Sequence, residues 1–123
     1  MTGDFTDLRI WQKAHVLTLR IYKLTSNFPS EEKYGLISQL RRASVSVEAN
    51  IAESHGRYHY ADVVNFLLNT RGSILEVQDE LMVAKDLGYC RKKEAEELIG
   101  EYSILAKQVN RYISFKRTKK EVK

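Results

Sequence analysis

The sequence predicts an all-α protein, an antiparallel up-down four-helix bundle, and three observations predict it. Chain breakers are scarce, with one proline and six glycines in 123 residues. Apolar residues recur at alternating steps of three and four along four long stretches, the period of a helix with one buried face. The breaks between those stretches are short, so each helix must turn back along its predecessor.

The first helix is expected over residues 7–27. Ile10, Ala14, Leu17, Ile21, Leu24 and Phe28 form its seam, Thr6 is placed to cap it, and Phe5 and Ile10 stand at hydrophobic-staple positions. Pro29 stops it, since proline has no amide hydrogen and pushes the preceding residue out of the helical region. The second helix is expected over 31–54, with Glu31 and Glu32 in a favourable first turn that Gly35 interrupts. Leu36, Leu40, Ala43, Val47 and Ile51 make its stripe, widened by Ile37 and Ser44. The third helix, expected over 60–87, carries Val63, Leu67, Thr70, Ile74, Val77, Leu81 and Ala84. Gly88 supplies its left-handed stop, and Tyr89 is placed to fold back onto the last turn. The fourth, expected over 92–115, carries Ala95, Leu98, Tyr102, Leu105, Val109 and Tyr112. Residues 1–115 therefore read as one bundle and 116–123 as a basic C-terminal tail. Trp11, Leu19, Tyr22, Val64, Leu68, Leu75 and Met82 add apolar surface beside the seams. That surplus is either a broad core stripe or a second face buried by self-association.

Charge is unevenly distributed. The chain carries +4 overall, but residues 107–123 carry +6 and the remainder −2. A basic segment of this kind attracts polyanions, and its lysines and arginines also suit the C-terminal end of a helix dipole. The single cysteine, Cys90, excludes an internal disulfide framework and a multi-cysteine zinc site. The longest stretch without a charge, Val63 to Thr70, is far too short to span a membrane. Asp4 and Asp7 stand where a signal peptide would begin, so a cytoplasmic setting is expected.

A search for catalytic chemistry excludes more than it finds. His55 and His59 have the spacing of paired metal ligands, but Gly56 lies between them and the HExxH glutamate is missing. Di-iron bundles use Glu-x-x-His pairs, whereas Gln12, Ala52 and Gly56 stand three residues before His15, His55 and His59. No phosphate-binding glycine motif is present. Cys90 lies beside Arg91, Lys92 and Lys93, which would lower a thiol pKa, but no base is evidently positioned to use it. The expectation is a non-enzymatic protein with no catalytic residue, no metal site and no cofactor. The polar residues set into apolar helices read as structure. Asn50, Glu53 and Arg71 are expected to form a polar network in which a glutamate and an arginine on facing helices make a buried pair. Gly72 costs about 1 kcal/mol relative to alanine in a helix interior, so it is read as permitting close approach of a neighbouring helix. Arg41 and Arg42 point about 100° apart, one inward and one to solvent.

The segments WQKAH (11–15), FPSEEKYGLISQLRRA (28–43), NIAES (50–54), TRGS (70–73) and AKDLGY (84–89), in this order, resemble a known family. It is the "four helix bundle protein" family encoded by intervening sequences in bacterial 23S ribosomal RNA genes, also labelled S23-type ribosomal proteins. The chain is similar as well to accessory variability determinant proteins of diversity-generating retroelements. The resemblance covers about residues 5–116. It implies an antiparallel four-helix bundle assembled as a homopentamer and, for the retroelement relatives, a basic ring that binds nucleic acid and a reverse transcriptase. Relatives commonly read S-I-P-S-N-I-A-E-G where this chain has residues 46–54, so it lacks a proline and a glycine there. Those losses imply a straighter second helix and an altered turn after it. His59 and Arg91 replace the usual caps of the third and fourth helices, and Arg91 to Lys93 oppose the helix dipole.

The expected function is a nucleic-acid-binding scaffold, for RNA or DNA, that meets phosphates through Arg41, Arg42, Arg57, Lys116, Arg117, Lys119 and Lys120. The alternative is an adaptor that docks a protein partner such as a reverse transcriptase. No membrane partner is expected.

Overall fold

The computed structural model describes residues 3–122, with side chains as far as Lys119. Four helices account for nearly all of it: α1 (Arg9–Thr25), α2 (Leu36–His55), α3 (Tyr60–Asp86) and α4 (Lys92–Val122). Among the described residues there is no strand. Short 3-10 turns at Phe5–Asp7 and Ser30–Glu32 precede α1 and α2.

The helices run antiparallel, as pairs along each interface show. From α1 to α2, Thr18 Oγ1 donates to the Ser44 carbonyl at 3.1 Å, and Arg41 Nε to Thr25 Oγ1 at 2.9 Å. Between α2 and α3, the Ser46 and Ser73 hydroxyls meet at 2.9 Å, while Arg57, beyond the end of α2, lies over the earlier Phe66 ring. Gln78 Nε2 donates to the Ile99 carbonyl at 3.0 Å, and Lys85 pairs with the earlier Glu96 at 3.6 Å. Lys13 with Glu101 and Arg20 with Glu97 close the α1–α4 side in the same sense.

Every predicted seam residue is buried except Tyr112, which is half-buried because α4 outruns the bundle there. Ala14, Ile21, Leu40, Val47, Ile51, Leu67, Val77, Leu81, Tyr102, Leu105 and Val109 are all 0% exposed. Thr18, Ser44 and Thr70 lie among them, each hydroxyl satisfied by a backbone carbonyl. Small polar side chains of this kind let α2 sit close to both neighbours without leaving an unpaired group in the core.

Several boundaries differ from expectation. Thr6 does not cap α1: its amide instead donates to Asp4 Oδ1 at 2.9 Å within the first 3-10 turn. Phe5 packs edge-on against Trp11, ring centroids 5.3 Å apart. The Glu31–Glu32 turn is separate from α2, which begins after Gly35. Gly88 adopts φ 78°, the left-handed stop its position predicted. Tyr89 donates its amide to the Ala84 carbonyl at 3.0 Å, and its ring reaches Phe28 while its hydroxyl bonds Glu32 at 2.9 Å. That contact ties the α3–α4 connection to the α1–α2 connection. The largest difference is α4, which continues through residues 116–122 instead of ending at 115. Lysine and arginine are good helix formers, and their charge complements the C-terminal dipole, so the basic segment extends the helix.

Gly72 does not admit a neighbouring helix. It is exposed, and a Cβ built there would meet nothing within 4 Å. The surplus apolar surface does not all enter the core either. Leu68, Leu75 and Met82, seven residues apart, are 44%, 68% and 49% exposed along one stripe of α3.

Candidate nucleic-acid interface

The α2–α3 turn is short and tightly bonded. The Gly56 amide donates to the Glu53 carbonyl at 3.1 Å and the Arg57 amide to the Ser54 carbonyl at 3.2 Å. His59 is extended at φ −85°, ψ 137° and precedes α3 without making a side-chain cap, as expected of histidine at that position. Because α4 runs beyond α1, its last turns come alongside this turn. Between them lies a cavity of about 420 Å³ lined by Arg57, Tyr58, His59, Tyr60, Lys116 and Lys119.

Three cations therefore converge from segments almost sixty residues apart. Arg57 is held in place: its guanidinium pairs with Glu53 at 2.7 Å and lies 4.6 Å from the Phe66 ring centroid. Lys116 and Lys119 share one side of α4, with their ammonium groups 5.6 and 5.4 Å from the Tyr112 and Phe115 rings. Neither lysine has an ion-pair partner among the described residues. Phosphate is the chemistry such a site suits, because two ammonium groups stand beside a fixed guanidinium.

The other expected contacts lie elsewhere. Arg41 is half-buried, and its guanidinium donates to Thr25 Oγ1 and, at 3.3 Å, to the Tyr22 carbonyl. It thereby satisfies the end of α1 and covers the Tyr22 ring at 4.6 Å, a structural role. Arg42 is exposed, as the 100° separation requires, in a depression beside Gln39, Ser46 and Glu76. Thirteen residues of α2 lie between it and the end of that helix, roughly 20 Å, and Arg57 lies beyond that end. Arg117 is exposed and turned from the cavity by its place next to Lys116. Lys120 has a helical backbone, but its side chain lies outside the described residues.

The expected network of Asn50, Glu53 and Arg71 does not form. Asn50 Nδ2 donates to the Ser46 carbonyl at 2.8 Å and to Ser46 Oγ at 3.1 Å. Glu53 is exposed and takes Arg57 at i+4, a local pair that needs no desolvation. Arg71 is exposed on α3 and pairs with no acid among the described residues. Cys90 also departs from expectation: burial, then Glu94, push its thiol pKa up. His55 ends α2 whereas His59 precedes α3, so the two do not share a helix face. Among the described residues no group of three or more histidines, cysteines or acids could hold a metal ion.

Sequence reasoning passed over Glu80 as an interior group, and it placed the Tyr102 ring in the α4 seam without accounting for its hydroxyl. Glu80 is 7% exposed with Oε1 unpartnered, and burial, followed by Glu76 and Asp79, pushes its carboxyl up to about 7. Its only sequence signal is its place between Val77 and Leu81. Tyr102 is 0% exposed with its hydroxyl unpartnered, and burial raises its pKa strongly.

Fold and site together define a small helical bundle with a cationic, aromatic-lined end. The chain belongs to the 23S rRNA-intervening sequence protein family, whose model matches residues 6–111. The lysines of the cavity lie just beyond the matched segment. Among solved structures the chain is similar to a protein of unknown function from the S23 ribosomal protein family of Bacteroides thetaiotaomicron VPI-5482. The two are 21% identical with a TM-score of 0.76, covering 85% of this chain and 97% of that one, which shows the shared fold. A comparison with curated proteins finds no match. No described helix is long and apolar enough to cross a membrane.

Proposed function

We propose that this chain is a cytoplasmic, non-enzymatic nucleic-acid-binding scaffold, with RNA as its polyanion, acting as a homopentamer. The observation that carries the reading is the convergence of Arg57, Lys116 and Lys119 on one cavity. Phosphate contacts from such groups are sequence-blind and additive, so several copies would strengthen binding by multivalency. The exposed α3 stripe of Leu68, Leu75 and Met82 is the face we assign to self-association. The same stripe is what an adaptor would offer a protein partner, which makes that the second reading.

The test is fluorescence anisotropy of a labelled RNA over a range of salt concentrations. Log affinity should fall linearly with log salt, and Lys116→Glu with Lys119→Glu should weaken binding and flatten the slope by about 1.5. Salt-insensitive binding, or an unchanged slope in the double variant, refutes the reading. Light scattering separates the two uses of the α3 stripe: a mass near five protomers supports self-association, and a monomer favours the adaptor.

A further inference from the structure

We infer that the α2–α3 turn selects unpaired bases: the Tyr58 ring is a stacking platform for single-stranded nucleic acid whose flanking phosphates rest on Lys116 and Lys119. This rests on the nucleic-acid reading above and deepens it by naming the strand state.

Tyr58 is 94% exposed, more than any other large apolar side chain described. Its placement is nonetheless defined. The turn is bonded on both sides, by the Arg57 amide to Ser54 and by the Val63 amide to the His59 carbonyl. The His59 ring meets Tyr58 nearly perpendicular, at 84° and 5.1 Å between centroids, which braces the ring by an edge contact. An aromatic surface is thus presented to water beside two ammonium groups, around a cavity of about 420 Å³.

Base–aromatic stacking beside a cationic track is how proteins hold single strands without reading sequence. A duplex offers Tyr58 no base face, because its bases are already stacked and must be unstacked to expose one. Lys116 and Lys119 would serve both forms through phosphates. Tyr58 serves only the single strand, so the ring confers the discrimination.

The experiment compares a short fluorescein-labelled single-stranded RNA with the same strand annealed to its complement. Wild type, Tyr58→Ala and Tyr58→Phe are each titrated at fixed salt. Wild type should prefer the single strand by about tenfold. Tyr58→Ala should lose that preference by weakening single-strand binding much more than duplex binding, and Tyr58→Phe, which keeps the ring, should retain it. The side chain is exposed, so folding should be unaffected, and helical circular dichroism verifies that. Equal affinity of wild type for both forms, or an equal loss on both in Tyr58→Ala, overturns the inference while leaving salt-dependent binding intact. Failure of wild type to bind either form overturns the nucleic-acid reading, and this inference with it.

Discussion

Glu80→Gln should make the protein more stable at neutral and alkaline pH and flatten its pH dependence. In the native state Glu80 is 7% exposed, and burial together with Glu76 and Asp79 holds its carboxyl at about 7 against an ordinary value of 4.5. Folded protein therefore binds a proton that the unfolded chain has released between pH 4.5 and pH 7. Stability contributed by the protonated group is fully present below pH 4.5 and falls as pH rises through 7, after which it levels off. The difference between 4.5 and about 7 corresponds to about 3 kcal/mol across that window. Glutamine keeps the shape and cannot ionise, so the variant should lose this slope and gain most of that amount at pH 8. Urea unfolding followed by circular dichroism at pH 5, 6, 7 and 8 measures it, with wild type and variant compared at equal protein concentration. Parallel pH profiles for the two proteins would show that Glu80 does not titrate as a buried group, and the reasoning would be wrong.

Tyr102→Phe should be neutral or stabilising by about 1 kcal/mol in thermal melts, because it removes a buried hydroxyl without a partner and leaves the ring in place; a loss of 2 kcal/mol or more would mean the hydroxyl is bonded. Leu68→Glu with Leu75→Glu should reduce the mass seen by light scattering to that of a protomer while preserving helicity, since both residues are exposed in the single chain. An unchanged mass above that of a protomer would place the self-association face elsewhere.

The bundle was legible because its information is local and periodic. A seam residue repeats every three or four positions, so Ile10 to Phe28 and Val63 to Ala84 identify their buried faces without knowledge of their neighbours. Gly88 was legible for a similar reason, since a left-handed stop is a property of one residue's backbone. Side chains with more than one eligible partner were not. Glu53 had both Arg57 and Arg71 within conceivable reach, and the exposed pair one helical turn away prevailed over a buried one that requires desolvation. Gly72 likewise reads the same whether a helix approaches it or solvent does.

The candidate site divides along the same line. Sequence alone determined that the positive charge is concentrated near the C-terminus and that four amphipathic helices must bury their seams together. Which cations meet was decided by tertiary structure. The register of α3 against α4, pinned by Gln78 and Lys85, sets which turn of α4 comes level with the α2–α3 connection. The continuation of α4 to Val122 then carries Lys116 and Lys119 up to Arg57 and Tyr58. Convergence of groups so far apart in the chain depends on helix length and register, which arise from packing the whole core and are not written in any local stretch of residues.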